Sequence, residues 1–140
     1  MNEARQVPAF LVRDWWSFRD RQQGTREQRV DLERVESSLA RRVQRAYDRV
    51  SNSVEVGGTE ALDLVEALIT SAPDADAAAV VGAGPLEELV HDHGAALVDE
   101  IERRARQDPA FAKALRSVWL DRGALPSEVE RRLAKWVQVP

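Results

Sequence analysis

Hydrophobic residues recur along most of the chain at intervals of three and four, which is the period of an amphipathic α-helix. The longest run predicts one helix over residues 26–55, with apolar positions at Leu32, Val35, Leu39, Val43, Ala46, Val50 and Val54. Thr25 and Gln28 fit a capping box at its start. Leu32, Val43 and Val54 are 11 residues apart, a repeat that favours an extended central helix over a left-handed supercoil.

Shorter stripes predict further helices after this one. Thr59 can cap a helix with an apolar face of Leu62, Val65, Leu68 and Ile69 that ends before Pro73, and Asp74 can start an alanine-rich turn over residues 75–81. Ser127 and Glu130 fit a capping box of a last helix, whose apolar positions are Val129, Leu133, Trp136 and Val137. No segment alternates as a strand does.

These elements predict an all-α, single-domain bundle of about six helices around the long helix. We divide it into an N-terminal helix and loop (residues 1–24), the long helix (25–56), a helical core (59–119) and a closing helix (126–138). Gly57 and Gly58 mark the clearest internal break, because adjacent glycines do not continue a helix well.

Residues 82–119 contain explicit start and stop signals. Gly82-Ala83-Gly84-Pro85 is predicted to end the preceding helix, with Pro85 in the first turn of the next. Gly94 is predicted to end or bend that helix, and His93 to satisfy its last carbonyls. Asp108 and Pro109 fit the N-cap and first position of another helix, with a core face formed by Phe111, Leu115, Val118 and Trp119.

The motifs in this stretch resemble a family of bacterial proteins with a domain of unknown function. The resemblance rests on GAGPLEEL at residues 82–89, on His93-Gly94, on the acidic and apolar helix 97–105, and on DP.F..AL..VW at residues 108–119. Together with the preceding helical run it covers residues 59–119. It implies an all-helical bacterial domain and supplies no catalytic residues.

Composition limits the classes of protein that fit. The chain has no cysteine, which excludes disulfides and thiolate chemistry and gives no reason to expect export. The first residues lack the basic start and apolar run of a signal peptide, and no apolar run approaches the length of about 20 residues that spans a bilayer. We therefore expect no membrane association and a location in the bacterial cytoplasm.

The net charge of −4 hides an asymmetry along the chain. Residues 1–56 carry 11 arginines and 9 acids, whereas residues 57–140 carry 9 basic and 15 acidic residues, and residues 57–102 have 11 acids without any Lys or Arg. An exposed surface of this kind would attract a basic partner. The candidate interaction surface consists of Glu60, Asp63, Glu66, Glu87, Glu88, Asp92, Asp99 and Glu102.

The back of the long helix is basic and raises the alternative that these acids are neutralised within the chain. Its arginines are Arg41, Arg42, Arg45 and Arg49. They can pair with the acidic segment, form a solvated face, or bind an anion such as phosphate. The acidity of the whole chain and the lack of a DNA-binding signature count against nucleic acid.

Aromatic residues are concentrated near the start of the chain. Trp15, Trp16 and Phe18 fall within four residues. They can fasten the first helix onto the bundle. Alternatively, Trp15 and Trp16 form an aromatic patch for a partner or ligand, because Trp is over-represented in interface hot spots. Self-association through this patch or through the long helix is a further alternative.

Candidate chemistry is confined to one cluster. Glu87 and His91 share a helical face, as do Glu88 and Asp92, so a site with two or three ligands is conceivable. However, His91 and His93 would lie on opposite sides of one helix, and a zinc or di-iron site needs more ligands. The Gly82–Pro85 segment lacks the Lys-Ser/Thr of a phosphate loop. We expect no catalytic, metal or cofactor site.

Two hypotheses of function follow. The first is a non-enzymatic interaction module whose acidic surface binds a basic protein, of which an immunity or inhibitor protein would be one instance. The second is a small enzyme, or a metal- or ligand-binding protein, that uses the acidic and histidine cluster at residues 87–92. The first requires acids on an exposed face, and the second requires them to converge in a pocket.

Overall fold

The computed structural model describes residues 7–22, 26 and 38–140, and for residues 18–22 and 38–40 it describes the backbone alone. The elements are α1 (Ala9–Gln22), α2 (Ser38–Val56), α3 (Gly58–Thr70), α4 (Ala75–Val81), a π-helical turn (Gly82–Leu86), α5 (Glu87–Gln107), α6 (Pro109–Leu115) and α7 (Ser127–Leu133). Within these ranges there is no strand, only an isolated parallel bridge between Trp119 and Gln138. The all-α helical fold is therefore confirmed.

Contacts between residues divide the chain into two compact units, residues 1–52 and Ser53–Pro140, and the boundary falls within α2. The predicted long helix is confirmed over its second half, where Val43, Ala46, Val50 and Val54 are all buried. Its cap at Thr25 and its first apolar positions, Leu32 and Val35, lie outside the described residues, as does the side chain of Leu39.

The junction between α2 and α3 depends on two glycines. Gly57 and Gly58 have φ of 81° and 83°, in the left-handed region that favours glycine. The predicted break is correct, but Thr59 is not the cap: Gly57 occupies the N-cap position of α3 and Thr59 lies inside the helix. His93 closes the junction, because its Nε2 donates to the carbonyl of Glu55 at 2.8 Å. This bond satisfies one of the terminal carbonyls that α2 leaves unpaired.

Gly57→Ala should destabilise the protein more than Gly58→Ala, although both glycines have nearly the same φ. At Gly58 a Cβ would meet nothing within 4 Å, so only the backbone strain of about 1 kcal/mol applies. At Gly57 a Cβ would lie 2.6 Å from the His93 ring. We expect a loss of about 3 kcal/mol in the free energy of unfolding, measured by urea denaturation.

A double-mutant cycle separates the two causes of this loss. In a His93→Ala background, Gly57→Ala should cost no more than Gly58→Ala, because the ring that the new Cβ would strike is gone. A cost that stays at its full value without the ring would contradict the contact as its cause.

The segment Gly82–Leu86 does not end a helix, and the predicted break there is wrong. It is a π-helical turn that joins α4 to α5, and residues 81 and 87 on either side of it have right-handed helical angles. The N–H of Glu87 bonds to the carbonyl of Gly82, five residues back. Pro85 has no N–H to donate, and a wider turn accommodates it without ending the helix.

Two small residues of this region are required by close packing. A Cβ at Gly82 would lie 2.1 Å from the carbonyl oxygen of Ala114, so α6 approaches the backbone of the π turn directly. Gly94 is buried inside an uninterrupted α5, where a Cβ would lie 2.8 Å from Cδ1 of Leu125. The prediction that Gly94 ends or bends the helix is therefore wrong. His93 consequently bonds the end of α2 and not the end of its own helix.

The cap predicted at Asp108 is confirmed, and Asp74, predicted as the start of an alanine-rich turn, is the N-cap of the helix α4. Asp74 accepts from the N–H of Ala77 at 2.7 Å, and Asp108 accepts from Ala110 and Phe111. The core of residues 53–140 forms around side chains with no exposed area, among them Leu62, Leu68, Leu86, Leu89, Ile101, Phe111, Leu115 and Leu133.

The C-terminal region differs from the prediction in two respects. Ser127 begins α7 but makes no capping bond, and Glu130 instead accepts from the N–H of Gly123 at 2.8 Å. The helix ends at Leu133, so Trp136 and Val137 follow it and do not extend its apolar face. The chain then continues to Gln138, which forms the bridge with Trp119.

Candidate functional site

The backbone of Trp119 is held by two side chains of α5. Glu87 Oε1 accepts from the N–H of Trp119 at 2.8 Å, and His91 Nε2 donates to its carbonyl oxygen at 2.9 Å. Glu87 and His91 are four residues apart and so lie on the same face of the helix. The backbone N–H and the carbonyl of Trp119 are thus both held by side chains of α5.

The residues on either side of Trp119 anchor it further. The N–H of Leu120 donates to the carbonyl of Gln138 at 2.8 Å, and the N–H of Gln138 donates to the carbonyl of Val118 at 2.9 Å. Val118 and Leu120 are fully buried, whereas Trp119 between them is 53% exposed. The prediction that Trp119 belongs to the core is therefore wrong. The fold holds a large aromatic side chain at the surface on a fixed backbone.

Glu88 and Asp92 follow Glu87 and His91 by one position each, and together they form what we term the acidic edge of α5. Successive helical residues are rotated by about 100°, so the acidic edge flanks the stripe that holds Trp119. Both side chains are exposed, and neither makes a hydrogen bond or ion pair with any residue that the structure describes. The acidic edge therefore carries two charges beside an exposed Trp, and neither charge is paired within the part of the chain that the structure describes.

Other acids of the predicted surface are paired with a buried arginine. Arg104, which is 9% exposed, donates to Asp63 at 2.7 Å, to Glu66 at 3.0 Å and to Glu100 at 3.3 Å. Burial, followed by a hydrogen bond with Asp108, raises the pKa of Glu66. The pKa of Glu100 is lowered, chiefly by its hydrogen bond from Arg103. Arg104 thereby ties α3 to α5.

A second arginine organises two more of these acids. Arg132 donates to Glu102 at 2.9 Å through Nε and to Asp99 at 2.6 Å. Glu102 is only 4% exposed, and the hydrogen bond from Arg132 is the largest cause of its lowered pKa. Arg106 lies 3.8 Å from its other oxygen. This pairing ties α7 to α5.

The predicted acidic surface is thus much smaller than the sequence indicates. Four of its members are engaged with arginines, namely Asp63, Glu66, Asp99 and Glu102. Glu87 holds Trp119, and Glu60, although exposed, has an interaction of its own. Only the acidic edge remains free of protein partners within the described part of the chain.

The arginines that neutralise these acids are Arg104 and Arg132, which follow the acidic segment. Of the basic residues on the back of the long helix, Arg42 lies 3.2 Å from the buried Asp14 within residues 1–52, and Arg45 and Arg49 are exposed. The sequence analysis did not identify Arg104 as a buried partner, because it lies beyond residues 57–102, where the acids were counted.

Trp15 and Trp16 do not form an exposed patch. Both are buried, and their rings meet edge to face with centroids 4.9 Å apart. Such a pair contributes about 0.5–1.5 kcal/mol beyond its buried area. The side chain of Phe18 lies outside the described residues.

The profile of a family of unknown function, DUF6869, matches residues 40–139. The chain belongs to this family. The sequence resemblance identified an uncharacterised domain over residues 59–119, and the family extends further on both sides. No curated protein and no solved structure matches the chain.

The DUF6869 region contains the features described above for α5. It includes the residues that hold Trp119, the acidic edge and both arginine clusters, whereas Trp15 and Trp16 lie outside it. Among the described residues there is no group of three or more His, Cys, Asp or Glu side chains placed to hold a metal. The described helices also include none with the length and apolar character that a bilayer crossing requires.

Proposed function

We propose that this protein is a non-enzymatic interaction module and that it binds a basic partner protein through Trp119 and the acidic edge. The observation that carries the proposal is that Trp119 is 53% exposed while both of its backbone groups are fixed by Glu87 and His91. An immunity or inhibitor protein that blocks a cationic enzyme is one instance of this class. A bacterial and cytoplasmic setting stays part of the proposal.

Rigid presentation of the aromatic supports this function. Trp is among the residues that most often dominate binding energy, because it buries a large area with little loss of conformational freedom. Its backbone is already held in the free protein, so binding would require no ordering of the loop around it. An unconstrained surface Trp would lack that advantage.

The charge beside Trp119 supports a basic partner. Glu88 and Asp92 are exposed and have no side-chain partner among the described residues, so a cationic surface could approach them without breaking any bond seen there. Charges at the rim of an interface mainly raise the association rate and make binding depend on salt. The acidic edge would therefore select the partner, and Trp119 would anchor it.

The contacts of Glu87 and His91 favour this proposal over a catalytic or metal site at residues 87–92. Glu87 accepts a backbone N–H, and His91 donates from Nε2 to a backbone carbonyl. These bonds give both side chains a structural role, the attachment of Trp119 to α5, and among the described residues no group of three or more His, Cys, Asp or Glu side chains is placed to hold a metal.

Affinity capture with the full chain tests the proposal. A basic protein from the lysate of a bacterium that encodes the chain should be retained at stoichiometric levels and released as salt rises. Trp119→Ala should abolish its retention, and Glu88→Lys combined with Asp92→Lys should reduce retention by at least about tenfold. The helical content of the variants should be unchanged, because these side chains are exposed.

A matched variant controls for the overall change in charge. Asp76→Lys combined with Glu128→Lys reverses two exposed acids on other helices, and it should retain the partner as the unaltered chain does. Equal loss in both charge-reversed variants would contradict the acidic edge as the contact, and retention by Trp119→Ala would contradict Trp119 as the anchor.

A further inference from the structure

A groove of about 660 Å³ lies where the end of α3 meets α4 and α6. Its walls are largely alanine methyl groups, contributed by Ala72, Ala75, Ala78, Ala79, Ala110 and Ala114. This volume lies within the range of small-molecule sites, about 300–1,000 Å³. The small side chains leave room for an apolar body of a ligand against the backbone of the two helices.

Four charged residues border the groove, and they differ in what they already bind. Asp74 and Asp108 are N-caps, and their carboxylates accept backbone N–H groups of α4 and α6. Lys113 and Arg116 lie at the end of α6, are exposed, and have no hydrogen bond or ion pair from their side chains to any described residue. The N–H groups offset part of the negative charge of Asp74 and Asp108, whereas Lys113 and Arg116 are the bordering charges without a side-chain partner among the described residues.

Lys113 and Arg116 are three residues apart and so project from neighbouring positions on one helical surface. Arg and Lys together suit a carboxylate, because the guanidinium can offer two parallel N–H donors while the ammonium adds a point charge. Asp108 lies five residues before Lys113, about 7.5 Å along the helix, which leaves the alanine-lined part of the groove for an apolar chain.

From this arrangement we propose that the groove binds a small amphiphilic carboxylate. Its apolar body lies against the alanines, and its carboxylate pairs with Lys113 and Arg116. The site involves different residues from Trp119 and the acidic edge and attracts the opposite charge, so it goes beyond the proposed function and does not depend on it.

Titration of the ¹⁵N-labelled full chain with octanoate tests this site. The amide signals of Ala78, Ala79, Ala110 and Ala114 should shift saturably. Octylammonium, which has the same apolar chain and the opposite charge, should leave them unchanged. Lys113→Glu combined with Arg116→Glu should weaken octanoate binding by at least about tenfold.

Two further variants complete the test. Arg45→Glu combined with Arg49→Glu reverses two exposed arginines on another helix and should bind octanoate as the unaltered chain does. Ala110→Trp should block binding by filling the groove, and circular dichroism should show that its helical content is retained. The proposal is overturned by equal shifts with octylammonium, by unchanged binding in the Lys113/Arg116 variant, or by unchanged binding in Ala110→Trp.

Discussion

Gly82→Ala should lower the free energy of unfolding by about 3 kcal/mol, although alanine is the better helix former. The φ of Gly82 is −60°, so the new side chain would cause no backbone strain. Its Cβ would instead overlap the carbonyl oxygen of Ala114, at 2.1 Å, and would approach the carbonyl carbon of Ala114 and Cβ of Ser117 at 3.0 Å. The obstacle is mainly backbone, which cannot rotate away, so α6 would have to move as a whole.

Gly84→Ala is the matched control for this prediction, because it lies in the same π turn and its Cβ would meet nothing within 4 Å. It should leave stability unchanged or raise it by up to about 1 kcal/mol, through the smaller freedom of the unfolded chain. Urea denaturation followed by circular dichroism at 222 nm measures both. Similar losses at the two positions would show that a side chain is unfavourable at either glycine of the turn, and the close approach of α6 would not be the reason.

Arg104→Met should cost about 3 kcal/mol in the free energy of unfolding, because it leaves three half-buried carboxylates without their cation. Methionine keeps much of the apolar stem, so lost packing is a minor part of the change. Asp63 and Glu66 on α3 would then face Glu100 on α5 with no charge between them. We therefore expect like-charge repulsion to add to the loss of three ion pairs.

Arg103→Met is the control for the arginine, since its side chain is 54% exposed and pairs with Glu100 at the surface. It should cost much less than Arg104→Met, because ion pairs at the surface contribute little to stability. A pH series separates charge from packing. Without Arg104 the pKa values of Glu66 and Glu100 rise, and a raised pKa in the folded state favours folding at low pH. The loss from Arg104→Met should therefore shrink between pH 7 and pH 4, whereas a loss that is constant across this range would indicate lost packing.

Local rules predicted the helices where the signal lies within a few residues. The cap at Asp108 needs only one carboxylate and the N–H groups that follow it, so sequence suffices to find it. The apolar face of α3 is similarly local: Leu62, Val65 and Leu68 are fully buried as the periodicity indicates. Each of these features could be read without knowing what packs against the helix.

The errors arise where a distant part of the chain decides the outcome. Trp119 follows Leu115 at a helical spacing, but α6 ends at Leu115, and the bridge to Gln138 turns Trp119 outward. Glu87 and His91 were identified as neighbours on one face, and yet their partner is a backbone 28 to 32 residues away. Spacing predicts which side chains share a face and does not predict what that face meets.

The acidic surface was likewise predicted without knowledge of what its carboxylates contact in the folded chain. Counting charges over residues 57–102 treats every carboxylate as solvated, whereas the tertiary structure brings Arg104 and Arg132 onto four of them. What the sequence did indicate is the pair Glu88 and Asp92, which remain exposed. The candidate site is therefore partly predictable. The helical pattern indicates its charged residues, whereas only the tertiary structure shows that Trp119 is exposed beside them.

The π-helical turn makes the orientation of α5 depend on the number of residues that join it to α4. Each residue advances an α-helix by about 100°, so the wide turn sets the rotational phase of all of α5 relative to α4. The hydrogen bond of this turn spans five residues in place of four, so an ordinary α-helical turn built from the same number of residues would rotate α5 by roughly that angle. Arg104 would turn away from Asp63 and Glu66, and Glu87 and His91 would turn away from Trp119. The ion pairs of Arg104 and the attachment of Trp119 therefore both depend on the rotational position that this turn gives to α5.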